Sequence, residues 1–320
     1  MKKFKTTYIL AAILMGLAVY VYFVEFKLSE KKAIQKEKAE KVLALSGDLI
    51  EAVTLKNSAG EFFAKRVGHA KWHLEKPLNA PADSWVWDNI VKAATDTKFT
   101  RVISENTSDL EPFGLKTPRY SVELHLKNNE KRSFYVGDDN PIGDSVFVTI
   151  DAQKKVVLAE KHSMNNFNKT LKDVREKKLF QFEQDQTQAL DIFKKEKKLM
   201  SLQKENGAWQ ITSLKSKLPA DPQKMTDLFN TLNFLEVKEF EAEDPKDLKK
   251  YGLENPALKV ILRDEKSAQL QLELGTHEGK DNFVYAKKTG QKPVYKVRDA
   301  IMSRIPKTAQ EFEKKEEVKK

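Results

Sequence analysis

The sequence predicts an α+β protein: an N-terminal transmembrane helix followed by two tandem, mainly antiparallel α+β repeats. Three observations carry this. An uncharged, largely apolar run from Thr6 to Val24 follows Lys2, Lys3 and Lys5. The rest of the chain is written twice, at a near-constant offset. Each copy sets runs with apolar residues at every second position around one segment of helical period.

The chain has 320 residues, room for about two ordinary domains. It has no Cys, which excludes a disulfide scaffold, a Cys-ligated zinc site, an iron–sulfur cluster and a thiol nucleophile. Only one apolar run is long enough to span a bilayer, so a polytopic membrane protein is excluded. Phe, Ile, Leu and Val recur throughout, which argues against a disordered chain.

Residues 1–5 read as a basic cytoplasmic stub and 6–24 as the membrane span. At 1.5 Å per residue the run reaches about 28 Å, near the thickness of a hydrocarbon core. Tyr8, Tyr20 and Tyr22 lie near its ends, where amphipathic rings favour the interface. A cleaved signal peptide would need small residues after the apolar stretch, and Tyr20-Val-Tyr-Phe-Val24 is bulky. The positive-inside rule puts the N-terminus in the cytoplasm and the bulk outside it. Lys27, Lys31 and Lys32, just beyond the span, pull the other way. The net charge is +10, of which the first 24 residues hold three Lys and no acid. On an exported body, that surplus suits solubility or anionic lipid and polymer better than nucleic acid. Residues 25–47, rich in Lys, Glu, Ala and Leu, read as a helical stalk ending near Gly47.

A shift of 138 superimposes Pro81-Ala-Asp83 on Pro219-Ala-Asp221, Phe113-Gly-Leu115 on Tyr251-Gly-Leu253, Pro118 on Pro256, and Val136-Gly137 on Leu274-Gly275. Before Pro81 the shift is 137, and Trp72 falls on Trp209. The repeats span 48–170 and 187–307, with a connector at 171–186 and a charged, frayed tail at 308–320. Each opens with a small meander (Val53, Leu55; Phe62, Ala64; Trp72, Leu74 in the first). Asp83 and Asp221 are natural N-caps. The helices that follow bury Trp87, Ile90, Val91 and Ala94, or Met225, Leu228, Phe229 and Leu232. Strands then follow over 99–103, 120–126, 132–136, 145–150 and 156–159, with counterparts in the second copy. A short helix closes each repeat, at 161–168 and 298–305.

These elements in order resemble the domain-of-unknown-function family 4340. They are the Lys-started anchor, the Trp-containing meander, Pro-Ala-Asp before a helix, and aromatic-Gly-Leu-x-x-Pro before a strand. A strand ending in Gly and the run Asp173-x-Arg175-x-Lys177-x-Leu179 complete the set. The resemblance implies a bacterial, membrane-anchored envelope protein, often encoded beside an ABC-type transporter of the gliding-auxiliary kind. It implies no catalytic residues.

The residues themselves mark no chemistry. His69 and His73 flank Trp72 in a predicted strand, roughly 13 Å apart, too far to share a metal. Gly137–Asp144 is acidic but reads as a turn, without EF-hand spacing. No phosphate-cradling glycine loop and no G-x-S-x-G occurs. Hence no catalytic, cofactor-binding or metal residue is assigned, and no cofactor is expected. Trp72 and Trp209 belong to the core. The contacts most available to a partner or polymer are Trp85, in the first turn of the first helix, and Lys194, Lys195, Lys197 and Lys198, at a hairpin tip. The expected function is a non-enzymatic accessory or scaffold subunit in the bacterial inner membrane, possible partners being ABC transporter subunits. The alternatives are a module binding cell-wall or surface polymer, and an envelope hydrolase with an unrecognised site.

Overall fold

The computed structural model describes residues 8–24, 40–43, 45–68, 70–151, 154–213, 217–277 and 282–314. The residues expected to form the basic stub, most of those expected to form the stalk (25–39), His69 and the last residues of the tail lie outside these. Residues 8–24 form helix α1. Among the described residues no helix is long and apolar enough to cross a membrane. The chain divides into two compact units, Met1–Arg175 and Glu176–Lys320.

Unit 1 is a nine-stranded antiparallel sheet with helices on one face. Strands β1 (Ile50–Asn57), β2 (Gly60–Val67), β3 (Lys71–Lys76) and β4 (Ala80–Pro81) form the opening meander. Helix α2 (Ser84–Asp96) then carries the chain to the opposite edge, strand β5 (Phe99–Ser104). The chain returns to the centre, where β6 (Tyr120–Leu126) pairs with β1. Strands β7 (Lys131–Asp139), β8 (Ser145–Ile150) and β9 (Val156–Glu160) step back out to β5. The order is β4-β3-β2-β1-β6-β7-β8-β9-β5.

Unit 2 repeats this connectivity. Its strands are β10 (Thr187–Lys194), β11 (Lys197–Glu205), β12 (Ala208–Ile211), β13 (Leu218–Pro219), β14 (Glu239–Ala242), β15 (Leu258–Asp264), β16 (Gln269–His277), β17 (Phe283–Lys288) and β18 (Val294–Arg298). They lie in the order β13-β12-β11-β10-β15-β16-β17-β18-β14. The helix in the place of α2 is α4 (Pro222–Asn233), and a short α5 (Ala300–Arg304) follows the last strand.

Alternation explains which face each strand buries. Val53, Leu55, Phe62, Ala64, Val122 and Leu124 point to the helix side, as do Leu190, Ile192, Val260 and Leu262. The helices start where the caps predict. The Asp83 side chain accepts from Val86 N, and Asp221 accepts from Gln223 N and Lys224 N. Their predicted apolar faces are buried in full. Trp87 stacks on Trp72 with ring centroids 6.0 Å apart, and Phe229 meets Trp209 edge-on at 5.4 Å. On the other face, the aromatic-Gly-Leu turn covers the sheet near β7 and β8. Phe113 packs on Phe147 there, and in unit 2 Tyr251, Leu253 and Val294 form a separate small core.

The repeat boundaries differ from the sequence expectation in three places. The stalk was expected to stay helical to residue 47, but Lys41 bridges to Lys98, Val42 N donates to Thr97 O, and Leu43 is fully buried. The connector is no separate element. Its first part, α3 (Leu171–Val174), completes unit 1, where Asp83 N donates to Val174 O. Its next residues open unit 2, where Leu179 N donates to Leu235 O and Phe180 is buried. The tail is ordered at its start: Asp221 N donates to Phe312 O, and Phe312 is buried. In each case burial of one or two apolar side chains overrides a charged local composition. Each unit therefore begins and ends with a strap beside its helix.

Candidate functional site

Trp85 stands on the solvent side of α2, 75% exposed. Its backbone carbonyl accepts from Asn89 Nδ2 at 2.9 Å. The lysine cluster forms the tip of the β10–β11 hairpin, as expected. Lys195 and Glu196 both adopt positive φ, 47° and 64°, the geometry of a tight two-residue hairpin turn. Lys194, Lys195 and Lys197 are exposed. Lys198 is tied down: its ammonium lies 3.3 Å from Asp191 Oδ1 and 5.4 Å from the Phe193 ring centre. Trp85 and the lysines belong to different units, so neither unit contains a site built from both.

Asp191 explains where Lys198 points. It sits on the sheet face opposite the helix, only 4% exposed. It accepts from Ser201 Oγ and from Arg263 Nη1 at 2.7 Å. Burial pushes its carboxyl up, but the Ser201 and Arg263 hydrogen bonds and the Lys198 and Arg263 charges win. Its proton affinity ends below the usual carboxylate range. The Ser201 hydroxyl donates to the Asp191 carboxylate, a weak base because its proton affinity is lowered, and Lys198 and Arg263 pair with the same carboxylate.

Unit 1 fills the equivalent positions differently. Thr54 stands where unit 2 has Asp191, and His125 where it has Arg263. Thr54 Oγ1 and His125 Nε2 are 3.3 Å apart, and Glu123 Oε1 lies 3.0 Å from the same nitrogen. Partial burial, joined by the Lys131 charge, depresses the His125 pKa against the pull of Glu123 and Glu51. The ring is thus neutral at pH 7. Around this pair lies a cleft of about 360 Å³ across β2, β1, β6 and β7. Lys56 and Lys76 share Glu61, at 3.0 and 3.8 Å, and Lys131 holds Glu123 at 2.9 Å.

This cleft escaped sequence reasoning. Its residues alternate with core residues and read as a solvated sheet face. The available signal was the mismatch between copies, Thr54 against Asp191 and His125 against Arg263. Elsewhere, Lys161 and Arg119 both pair with Asp139 of the acidic loop, and their hydrogen bonds lower its pKa. Among the described residues no cluster of three His, Asp or Glu forms a metal site.

Fold and faces together define a tandem duplication: two antiparallel sheet units of one topology, whose open faces have diverged. The chain belongs to the family described as domain of unknown function (DUF4340), whose pattern matches residues 72–217 and 209–319. The two matches begin on Trp72 and Trp209, equivalent residues of β3 and β12. No curated protein and no solved structure matches the chain.

Proposed function

We propose that the protein is a non-enzymatic, single-pass accessory subunit of a bacterial envelope complex, with both sheet units on the extracytoplasmic side. The observation that supports the anchor is α1. Its large apolar side chains are exposed around the whole helix, from Tyr8 at 73% to Val24 at 36%. A helix apolar on every face wants a core or a bilayer around it, and no described residue buries this one. Helical backbone satisfies its own polar groups, as a lipid environment demands. The proposed span is the uncharged run Thr6–Val24.

Tethering would hold two related surfaces at the membrane and raise their effective concentration toward a partner there. A transporter subunit is the partner proposed, on the strength of the family resemblance. The test is in-membrane photo-crosslinking from position 85, read by mass spectrometry, with carbonate extraction of the same membranes. The reading expects retention in the pellet and crosslinks to integral transporter subunits. Release of the whole chain by carbonate would contradict the anchor, and crosslinks confined to non-transporter species would contradict the partner.

A second reading, binding of a wall or surface polymer, is favoured by the exposed indole of Trp85. It predicts retention on purified wall polymer that Trp85→Ala abolishes.

A further inference from the structure

We propose that the unit 1 cleft is a binding site for a saccharide carrying one acidic group. The inference stands apart from the membrane anchor and from the Trp85 and lysine contacts. It rests on three features of the sheet face opposite α2.

The first is a set of hydroxyls with nothing to do. Ser121 lies directly opposite Tyr135 in the β6–β7 ladder, and Ser133 lies opposite Glu123. All three hydroxyl-bearing residues are half-buried and line the cleft. None of the three side-chain hydroxyls has a protein hydrogen-bond partner among the described residues. Directly opposed side chains sit roughly 5 Å apart at Cβ, so Ser121 and Tyr135 share one patch of the cleft wall, with Ser133 on the next residue pair of that face. A hydroxyl both donates and accepts, so such a row suits a ligand that is itself a row of hydroxyls.

The second is an apolar wall. The Phe63 ring lies 5.5 Å from the His125 ring, and both line the cleft with Tyr135. Rings beside hydroxyls match the alternating C–H and O–H faces of a pyranose.

The third is charge. Three ammonium groups, Lys56, Lys76 and Lys131, face two carboxylates, Glu61 and Glu123. Because Glu61 serves both Lys56 and Lys76, one positive charge is left for an incoming acid.

Unit 2 supplies the contrast. At the same place its face is closed by the Asp191, Ser201 and Arg263 network, which already satisfies its own polar groups. One copy has kept its polar face internally paired, and the other leaves hydroxyls open.

The test is isothermal titration calorimetry of the full chain in detergent with D-glucuronate, D-glucose and acetate as probes. D-glucuronate should bind saturably, D-glucose about tenfold more weakly, and acetate without saturation. The double variant Ser121→Ala/Tyr135→Phe should weaken glucuronate at least about tenfold, and Lys266→Gln, in the exposed β15–β16 turn, should leave it unchanged. An unchanged thermal midpoint confirms folding; if the double variant fails to fold, Lys76→Gln alone should weaken glucuronate toward the glucose value. Absence of saturable glucuronate binding, or binding untouched by these variants, would overturn the site. Equal affinity for glucose and glucuronate would overturn its acidic specificity.

Discussion

The backbone carbonyl of Phe113 occupies the space a side chain on Gly137 would need: a Cβ there would lie 2.1 Å from the oxygen. Unit 2 repeats the relation with Tyr251 and Gly275, at 2.0 Å. The aromatic-Gly-Leu turn and the glycine within β7 or β16 are therefore one device. The turn packs backbone against backbone, and Gly114 and Gly252 let it bend with φ near 65°. Gly137→Ala or Gly275→Ala should cost about 2–4 kcal/mol, because backbone must move in either unit. Chemical unfolding of each variant measures this; a change within error would refute the close approach.

Phe312 gives the second prediction. A charged tail suggests fraying, yet this ring is 1% exposed beneath the strap that meets Asp221. Phe312→Ala should cost about 3–5 kcal/mol, as for any large core truncation. Glu311→Ala beside it should cost far less. Equal small effects would show the strap to be undocked.

Asp191 makes unit 2 sensitive to acid. Its folded pKa lies below the unfolded value, near 3.9. The group therefore stabilises the fold fully above that value, and the contribution is lost as pH falls through the folded pKa. Asp191→Asn should flatten the stability curve below about pH 4. Its cost at pH 7 should be about 1–3 kcal/mol, since Arg263 and Lys198 retain solvent. Identical acid limbs for variant and wild type would refute the assignment.

His125 acts in the same direction at a higher pH. Its folded pKa is depressed from the ordinary value near 6.5, chiefly by burial. Between the two values the unfolded chain binds the proton more readily, so stability falls as pH drops through that window. Glu123→Gln removes a raising influence and should push the His125 pKa down further. NMR titration of the imidazole reads this directly; an upward move would contradict the geometry.

Much of this architecture was legible from local pattern. The caps Asp83 and Asp221, the buried helix faces and most strand bounds follow from periods that neighbouring residues enforce on one another. Leu179, Phe180 and Phe182 marked the connector as ordered, but the docking of Leu43 and Phe312 did not show, because their surroundings read as a helical stalk and a charged tail. Only the groove they fill explains them. The cleft did not show either, since Ser121, Glu123 and His125 form the polar half of an alternating strand. Their meaning comes from the neighbours on β1, β2 and β7 that the sheet brings beside them.

The proposed topology has α1 holding two sheet units outside the cytoplasm. The chain has no cysteine, so single replacements report position cleanly. Ser58→Cys, in the exposed β1–β2 turn, and Lys3→Cys would each be treated with a membrane-impermeant maleimide in intact spheroplasts. Position 58 should label at once and position 3 only after permeabilisation. Labelling of position 58 that waits for permeabilisation would contradict it.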